Sequence, residues 1–145
     1  DYPSQKEEVE ILNRYSEGRD LFDMKSMGVA SAMSKANIMA AIAACAAVAV
    51  KPSILEYIAA IVTKTRDWPG IAVGASPRAS VSMLMGSRAA AAVRGRDFVI
   101  PDDVLTIAPW SLRHRVRLSP DAVIRGVTPD ETLQQLFDSV EVPRE

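Results

Sequence analysis

Gly74-Ala75-Ser76-Pro77-Arg78-Ala79-Ser80 opens a segment that reaches Arg94 with only Gly86 to weaken it and stops at Gly95. Ser76 has the side chain of a helix cap. Pro77 then occupies the first helical position, where a missing N–H costs nothing and a fixed φ helps. Ala89 to Ala92 favour the helical state. The spacing predicts one long helix over 76–94. Gly86 inside it costs up to about 1 kcal/mol against alanine, so a close packing contact is expected there.

Helical punctuation continues toward the C-terminus. Phe98-Val99 is expected to be extended, because Ile100 precedes a proline. Pro101-Asp102-Asp103 starts a short helix through Ile107, with Ile100 a poor cap for want of a side-chain acceptor. Pro109 starts a further turn of helix carrying Trp110 and Leu112. His114 to Leu118 alternates and suits a short strand or extended segment. Ser119-Pro120 opens a brief helix or turn. Thr128-Pro129-Asp130-Glu131 is a capping box that launches a last helix with Leu133, Leu136, Phe137 and Val140.

Toward the N-terminus, Asp67-Trp68-Pro69-Gly70 is a turn cluster, and 70–75, with two glycines, reads as a loop. Before it lies a helix with Ile54, Tyr57, Ile58, Ile61 and Val62 at core spacing, ending near Thr65 or Arg66. Ser53 and Glu56 have the spacing of its capping box. Residues 34–48 form an alanine-rich helix capped by Ser34. Ile38, Ile42, Cys45 and Val48 or Ala49 lie on one stripe, and the expectation is a helix buried in a core. Residues 20–33 read as a connection packing Leu21, Phe22 and Met24. Residues 4–19 read as a helix with a Ser4/Glu7 capping box, Val9, Ile11, Leu12 and Tyr15 at helical spacing, and Gly18 as its stop. The fold class is therefore all-α: a compact bundle of about five to seven helices, with a short extended segment near 114–118.

The chain has 145 residues, 48% of them hydrophobic, a length that suits a single domain over 1–145. Its net charge of −1 argues against a dedicated nucleic-acid binder and against disorder. One cysteine and one histidine exclude a disulfide framework and a Cys/His metal cluster. The polar start Asp1-Tyr2-Pro3-Ser4 lacks the basic and then apolar pattern of a signal peptide. The 15 uncharged residues between Lys35 and Lys51 fall short of the roughly 20 needed to cross a bilayer. A cytoplasmic setting without membrane contact is the expectation.

Catalytic machinery is hard to find. None of the seven glycines is followed by lysine, so there is no phosphate-cradling P-loop. A Cys45–His114 pair would put the thiol in apolar surroundings, which disfavour the thiolate. Asp102-Asp103 needs no partner if it serves as charge at a helix start. The charge is unevenly spread, however. From Gly74 to Arg125 there are eight arginines, four aspartates and no lysine, whereas seven acids face three bases from Asp1 to Asp23. Most of the arginines suit salt bridges. Arg78 stands apart, because it sits in the first turn of a helix, where free N–H groups and the helix dipole already favour an anion. Either it pairs a carboxylate, or it serves a nucleotide held by something else.

Taken together, Gly74-Ala75-Ser76-Pro77-Arg78-Ala79-Ser80, Gly95-Arg96-Asp97-Phe98-Val99, Pro101-Asp102-Asp103-Val104 and Leu112-Arg113-His114-Arg115 resemble the C-terminal lid of MoxR-type AAA+ ATPases. Tyr2-Pro3-Ser4 with Glu7, Glu8 and Glu10 resembles the junction where the core of that family passes into its lid, which makes 1–4 a remnant of the junction. Ile100 departs from the pattern, standing where the family usually has threonine. The resemblance implies a cytoplasmic, Mg-dependent ATPase that works as a hexameric ring in chaperone-like maturation, often of proteins with von Willebrand A domains. It implies that the partners of this chain are its own core and neighbouring subunits. Arg78 would be the sensor-2 arginine at the γ-phosphate of ATP, with Ser76 and Pro77 forming the helix start beside the nucleotide. The catalytic motifs of the core are not in this sequence, so no ATP hydrolysis is expected from it alone. A free-standing helical adaptor, or an arginine-rich DNA-binding domain, are the competing readings.

Overall fold

The computed structural model describes residues 2–16, 23–25 and 28–143. The expectations for Gly18, Leu21 and Phe22 fall outside the described residues. Contacts divide the chain into two units, Asp1–Ile38 and Met39–Glu145. The described residues form seven helices and one two-stranded sheet, so the chain is mostly α-helical, as the sequence implies.

Helix α1 spans Gln5–Ser16. The Ser4 N–H and hydroxyl both donate to Glu7 Oε2, at 2.7 and 2.6 Å. These two bonds, the hydroxyl's first, hold the Glu7 carboxyl below its ordinary pKa. No residue of α1 is buried. Val9, Ile11, Leu12 and Tyr15 are exposed, so their helical spacing marks a face that nothing in this unit covers. Met24, expected to pack, is also exposed.

Helix α2 spans Lys35–Ala47, and Ser34 Oγ accepts from the Asn37 N–H at 3.1 Å. The expectation of a core helix fails for α2, although Val48, at the end of the expected stripe, is buried in the core. No residue of α2 is buried, Ile38 and Ile42 are exposed, and Cys45 is only half-buried. Apolar residues are spread round this helix instead of gathering on one face. An amphipathic stripe, which would direct burial, is therefore missing.

The second unit contains α3 (Pro52–Lys64), β1 (Ile71–Val73), α4 (Pro77–Val93), α5 (Pro101–Leu112), β2 (Arg117–Leu118), α6 (Pro120–Ile124) and α7 (Pro129–Asp138). All five helices begin on a proline at their first position. The fixed φ of proline suits that position and its missing N–H is lost nowhere else. For α3 this corrects the expected Ser53/Glu56 cap: Pro52 opens the helix, and Lys51 precedes it without a side-chain bond. In α7 the Thr128/Glu131 capping box is complete, with the Thr128 N–H and hydroxyl reaching Glu131 Oε2 at 2.9 and 2.8 Å and Glu131 N–H returning to Thr128 Oγ1 at 3.2 Å.

Helix α5 is longer than its sequence suggests. Instead of ending near Ile107 and restarting at Pro109, it runs unbroken to Leu112. An internal proline costs about 3 kcal/mol or more. Val104, Ala108 and Leu112 are fully buried along that helix, and their burial offsets the cost.

The core of this unit joins Ile54, Ile58, Ile61 and Val62 of α3 to Met83 of α4, Val104 and Leu112 of α5, and Leu133, Leu136 and Phe137 of α7. Burying each large side chain stabilises by roughly 1.5–3 kcal/mol. Helices α4 and α5 form the most extensive pair. Gly86 explains their closeness: a Cβ there would sit 2.6 Å from Ile107 Cγ2. Segment 70–75, expected as a loop, carries β1, which pairs antiparallel with β2 through Ile71–Leu118 and Val73–Arg117. The partner strand lies beyond α4 and α5 in sequence, and a three-residue strand flanked by glycines has no local signature. A parallel bridge between Ala49 and Phe98 ties the chain before α3 to the chain before α5.

Candidate functional site

The start of α4 is held in place before its first turn forms. Thr65, fully buried at the end of α3, donates its hydroxyl to Val62 O at 2.6 Å and accepts the Ala75 N–H at 2.9 Å. Arg66 Nε donates to Ala75 O at 3.1 Å. Both backbone groups of Ala75 are thus satisfied by the two consecutive residues that follow α3. Gly74 permits this approach: a Cβ there would lie 2.6 Å from Arg66 Cα and 2.7 Å from the Thr65 carbonyl carbon. On the far side of the loop, Ala79 and Met83 are fully buried, which fixes the rotation of α4 about its axis.

The three residues singled out by sequence follow from that anchor. Ser76 is the residue before the helix, in extended conformation, and its side chain makes no capping bond. Its carbonyl accepts the Ala79 N–H at 2.9 Å. Pro77 is the first helical residue and Arg78 the second. All three are exposed. The Arg78 guanidinium makes no hydrogen bond or ion pair among the described residues. The carboxylate alternative left open by the sequence therefore has no partner among them.

Most of the remaining arginines are engaged. Arg94 and Arg96 converge on Asp103, and Arg113 Nε meets Asp130 Oδ1 at 2.6 Å. Arg125 Nε donates to Asp121 O at 3.2 Å. Arg115 reaches α4, donating from Nη1 to Ser82 Oγ at 2.8 Å and, at a longer 3.4 Å, to the Arg78 carbonyl. Arg115, Arg117, exposed His114, Val116 and Val73 surround a shallow depression of about 270 Å³. Arg115 thus contacts the first turns of α4, and Arg117 lies opposite the last residue of the strand that leads into them.

The sequence did not announce Thr65, Arg66, Ser82 or Arg115 as supports of Arg78. Each acts through a tertiary contact. Asp103 was read as charge at a helix start; it is instead a fully buried acceptor of two arginines.

Among the described residues no group of three or more His, Cys, Asp and Glu gathers as a metal site. No described helix is long and apolar enough to cross a membrane. The described residues thus form a mostly helical fold that presents an exposed arginine at the start of α4. The sequence model of the AAA lid domain family matches residues 63–136, half of the chain, and the chain belongs to that family. It is 32% identical to the uncharacterized protein YeaC of Bacillus subtilis over 142 residues, covering 98% of this chain and 43% of that protein. It is 35% identical to the chaperone MoxR1 of Mycobacterium tuberculosis over 103 residues, covering 63% of this chain and 27% of MoxR1. The fold matches the crystal structure of a candidate ATPase from Cytophaga hutchinsonii with a TM-score of 0.75 at 24% identity, over 99% of this chain and 45% of that one. The chain thus spans less than half the length of these relatives. The MoxR resemblance drawn from the motifs is upheld.

Proposed function

We propose that this lid closes over ATP bound by a separate AAA+ core, with Arg78 as the sensor-2 residue reaching the γ-phosphate. The observation that carries this is the Arg78 guanidinium, unpaired among the described residues, on a helix start fixed from both sides, by Thr65 and Arg66 through Ala75 and by Arg115 through Ser82. An exposed arginine needs no such foundation for a surface role. The positive end of the helix dipole favours an anion at the same place as the Arg78 guanidinium, so these residues fit a phosphate. Ser76 and Pro77 shape that helix start.

ATP bound with Mg supplies the γ-phosphate and its charge. An arginine on the lid attracts the closed state while that phosphate is present and loses the attraction after hydrolysis. A ligand shifts a two-state equilibrium only through differential contacts, and the Arg78–phosphate pair is that contact. Lid rotation would then pass to a neighbouring subunit of a hexameric ring in the cytoplasm. The work done would be chaperone-like, on clients such as von Willebrand A domain proteins. MoxR1, named a chaperone, supports this direction. Residues 1–145 would form the lid, with 1–4 the remnant of its junction to the core, and on its own the lid would not turn over ATP.

The test is Arg78→Ala in the full-length ATPase. Because Arg78 is exposed and has no partner among the described residues, stability is expected to hold while ATP turnover falls by about tenfold or more, the scale of removing one charge-assisted contact of 1.5–3 kcal/mol. Unchanged turnover and unchanged ATP affinity would overturn the assignment.

A further inference from the structure

We propose that Arg115 is a positioning residue for Arg78, locking the first turns of α4 from the corner between α5 and β2. The proposal rests on the reading of Arg78 given above. Three groups form a closed net. Arg115 Nη1 donates to Ser82 Oγ at 2.8 Å, Ser82 Oγ donates to the Arg78 carbonyl at 3.1 Å, and the same carbonyl lies 3.4 Å from Arg115 Nη1. Ser82 is one helical turn beyond Arg78, so the net spans the part of α4 that aims the Arg78 side chain. Arg115 grips the backbone of Arg78 and leaves its guanidinium unpaired.

Arg115 is itself anchored. Its N–H donates to Leu112 O at 2.8 Å, at the end of α5, where Leu112 is fully buried. Two residues on, Arg117 pairs with Val73, the last residue of β1, and β1 runs into the Gly74–Ser76 loop. The α4 start is therefore tied to the same corner twice, through the β1–β2 pairing and through the Arg115 side chain. A long cationic side chain that spends its hydrogen bonds on a serine and a carbonyl, with no carboxylate among its partners, gains little as a salt bridge. It gains as a strut, since a guanidinium is planar and loses less freedom per bond than an ammonium.

Misplacing a reacting or charge-stabilising group by about 1 Å can cost on the order of 100-fold, and a partial loosening costs less. The experiment uses the full-length ATPase with Arg115→Ala, Ser82→Ala, Arg78→Ala and the Arg78/Arg115 double alanine variant. ATP turnover and urea unfolding are measured on each. Ser82→Ala removes the hub of the net without changing charge and places a good helix former in α4, so it keeps the test open if Arg115→Ala destabilises the fold. The expected result is a loss of turnover of roughly 5-fold or more in Arg115→Ala and in Ser82→Ala, with part restored by Arg115→Lys. In the Arg78→Ala background the Arg115 change should cost less than about 2-fold more, because residues acting through one another are non-additive. If Arg78→Ala impairs turnover while Arg115→Ala and Ser82→Ala are silent, or if the Arg78 and Arg115 losses multiply, the positioning role is overturned and the sensor reading stands. If Arg78→Ala is itself silent, both fall.

Discussion

The Arg96 guanidinium grips the Asp103 carboxylate with both terminal nitrogens, Nη2 to Oδ1 at 2.6 Å and Nη1 to Oδ2 at 2.7 Å, and Asp103 has no exposure to solvent. Arg94 Nη1 adds a third bond to Oδ1 at 2.6 Å, and the Ile100 N–H a fourth to Oδ2 at 3.1 Å. This carboxylate replaces the cap that Ile100 lacks and welds the chain after α4 to the first turn of α5. Removing one partner of a buried ion pair costs about 3–5 kcal/mol. Asp103→Asn should therefore lower the unfolding free energy by that order, read from urea denaturation of the domain. Arg94→Ala should cost much less than Arg96→Ala, since Arg94 is 45% exposed and gives one bond where Arg96 gives two. Equal losses for the two arginines would refute the bidentate account.

The same carboxylate sets an acid limit. Burial alone pushes the Asp103 pKa up, but the bonds from Arg96, from the Ile100 N–H and from Arg94 outweigh it, and the net shift is downward from 3.8. A carboxyl whose folded pKa lies below its unfolded value binds fewer protons in the native state. Its contribution is then complete above about pH 4 to 5 and fades as the pH falls through the lower folded pKa. The stability gap between the native domain and Asp103→Asn should hold from about pH 7 to about pH 5, narrow as the pH falls below 3.8, and close only below the lowered folded pKa. A gap that stayed constant down to about pH 2 would place the stabilisation elsewhere.

How far the sequence carried depended on whether the cause was local. The helices of the second unit were legible because Ser76-Pro77, Ser119-Pro120 and Thr128-Pro129 announce their starts, and Ile54, Ile58, Ile61 and Val62 repeat at helical spacing. The placement of Arg78 was legible for the same reason. What escaped was non-local. Segment 70–75 becomes a strand only because Arg117 and Leu118 lie alongside it. Helix α5 passes Pro109 because its buried face outweighs a local breaker. Asp103 looks like a helix-start charge until Arg94 and Arg96 arrive from either side of Gly95. In the opposite direction, α1 and α2 carry apolar residues that invite a core reading yet stay exposed. Periodicity reports what a helix offers for burial, and another surface must still accept it.

Thr65 links stability to the candidate site. Its hydroxyl is the acceptor of the Ala75 N–H in a fully buried setting. Thr65→Val keeps the shape and removes the acceptor, stranding that N–H at a cost of about 1–3 kcal/mol. Thr65→Ser keeps the acceptor and should recover most of the loss. If the loop it pins also aims Arg78, turnover in the full-length ATPase should fall in Thr65→Val and return in Thr65→Ser. Turnover that follows neither change would separate the loop anchor from the site.

Gly86 tests the closeness of α4 and α5 directly. On helix propensity alone, Gly86→Ala should stabilise by about 1 kcal/mol. The new Cβ would instead meet Ile107 Cγ2 at 2.6 Å, with Ile107 Cγ1 next at 3.4 Å. The nearer atom is a branched methyl close to the α5 backbone, so it has little freedom to swing away. Overpacking of this kind typically costs 1–3 kcal/mol, and the net effect of Gly86→Ala should be destabilising. Ile107→Ala removes both offending carbons, so in that background the same glycine change should turn stabilising by up to about 1 kcal/mol. Urea unfolding of the two single variants and the double variant measures this sign reversal. A destabilisation of equal size in both backgrounds would show that Gly86 is required for some reason other than its contact with Ile107.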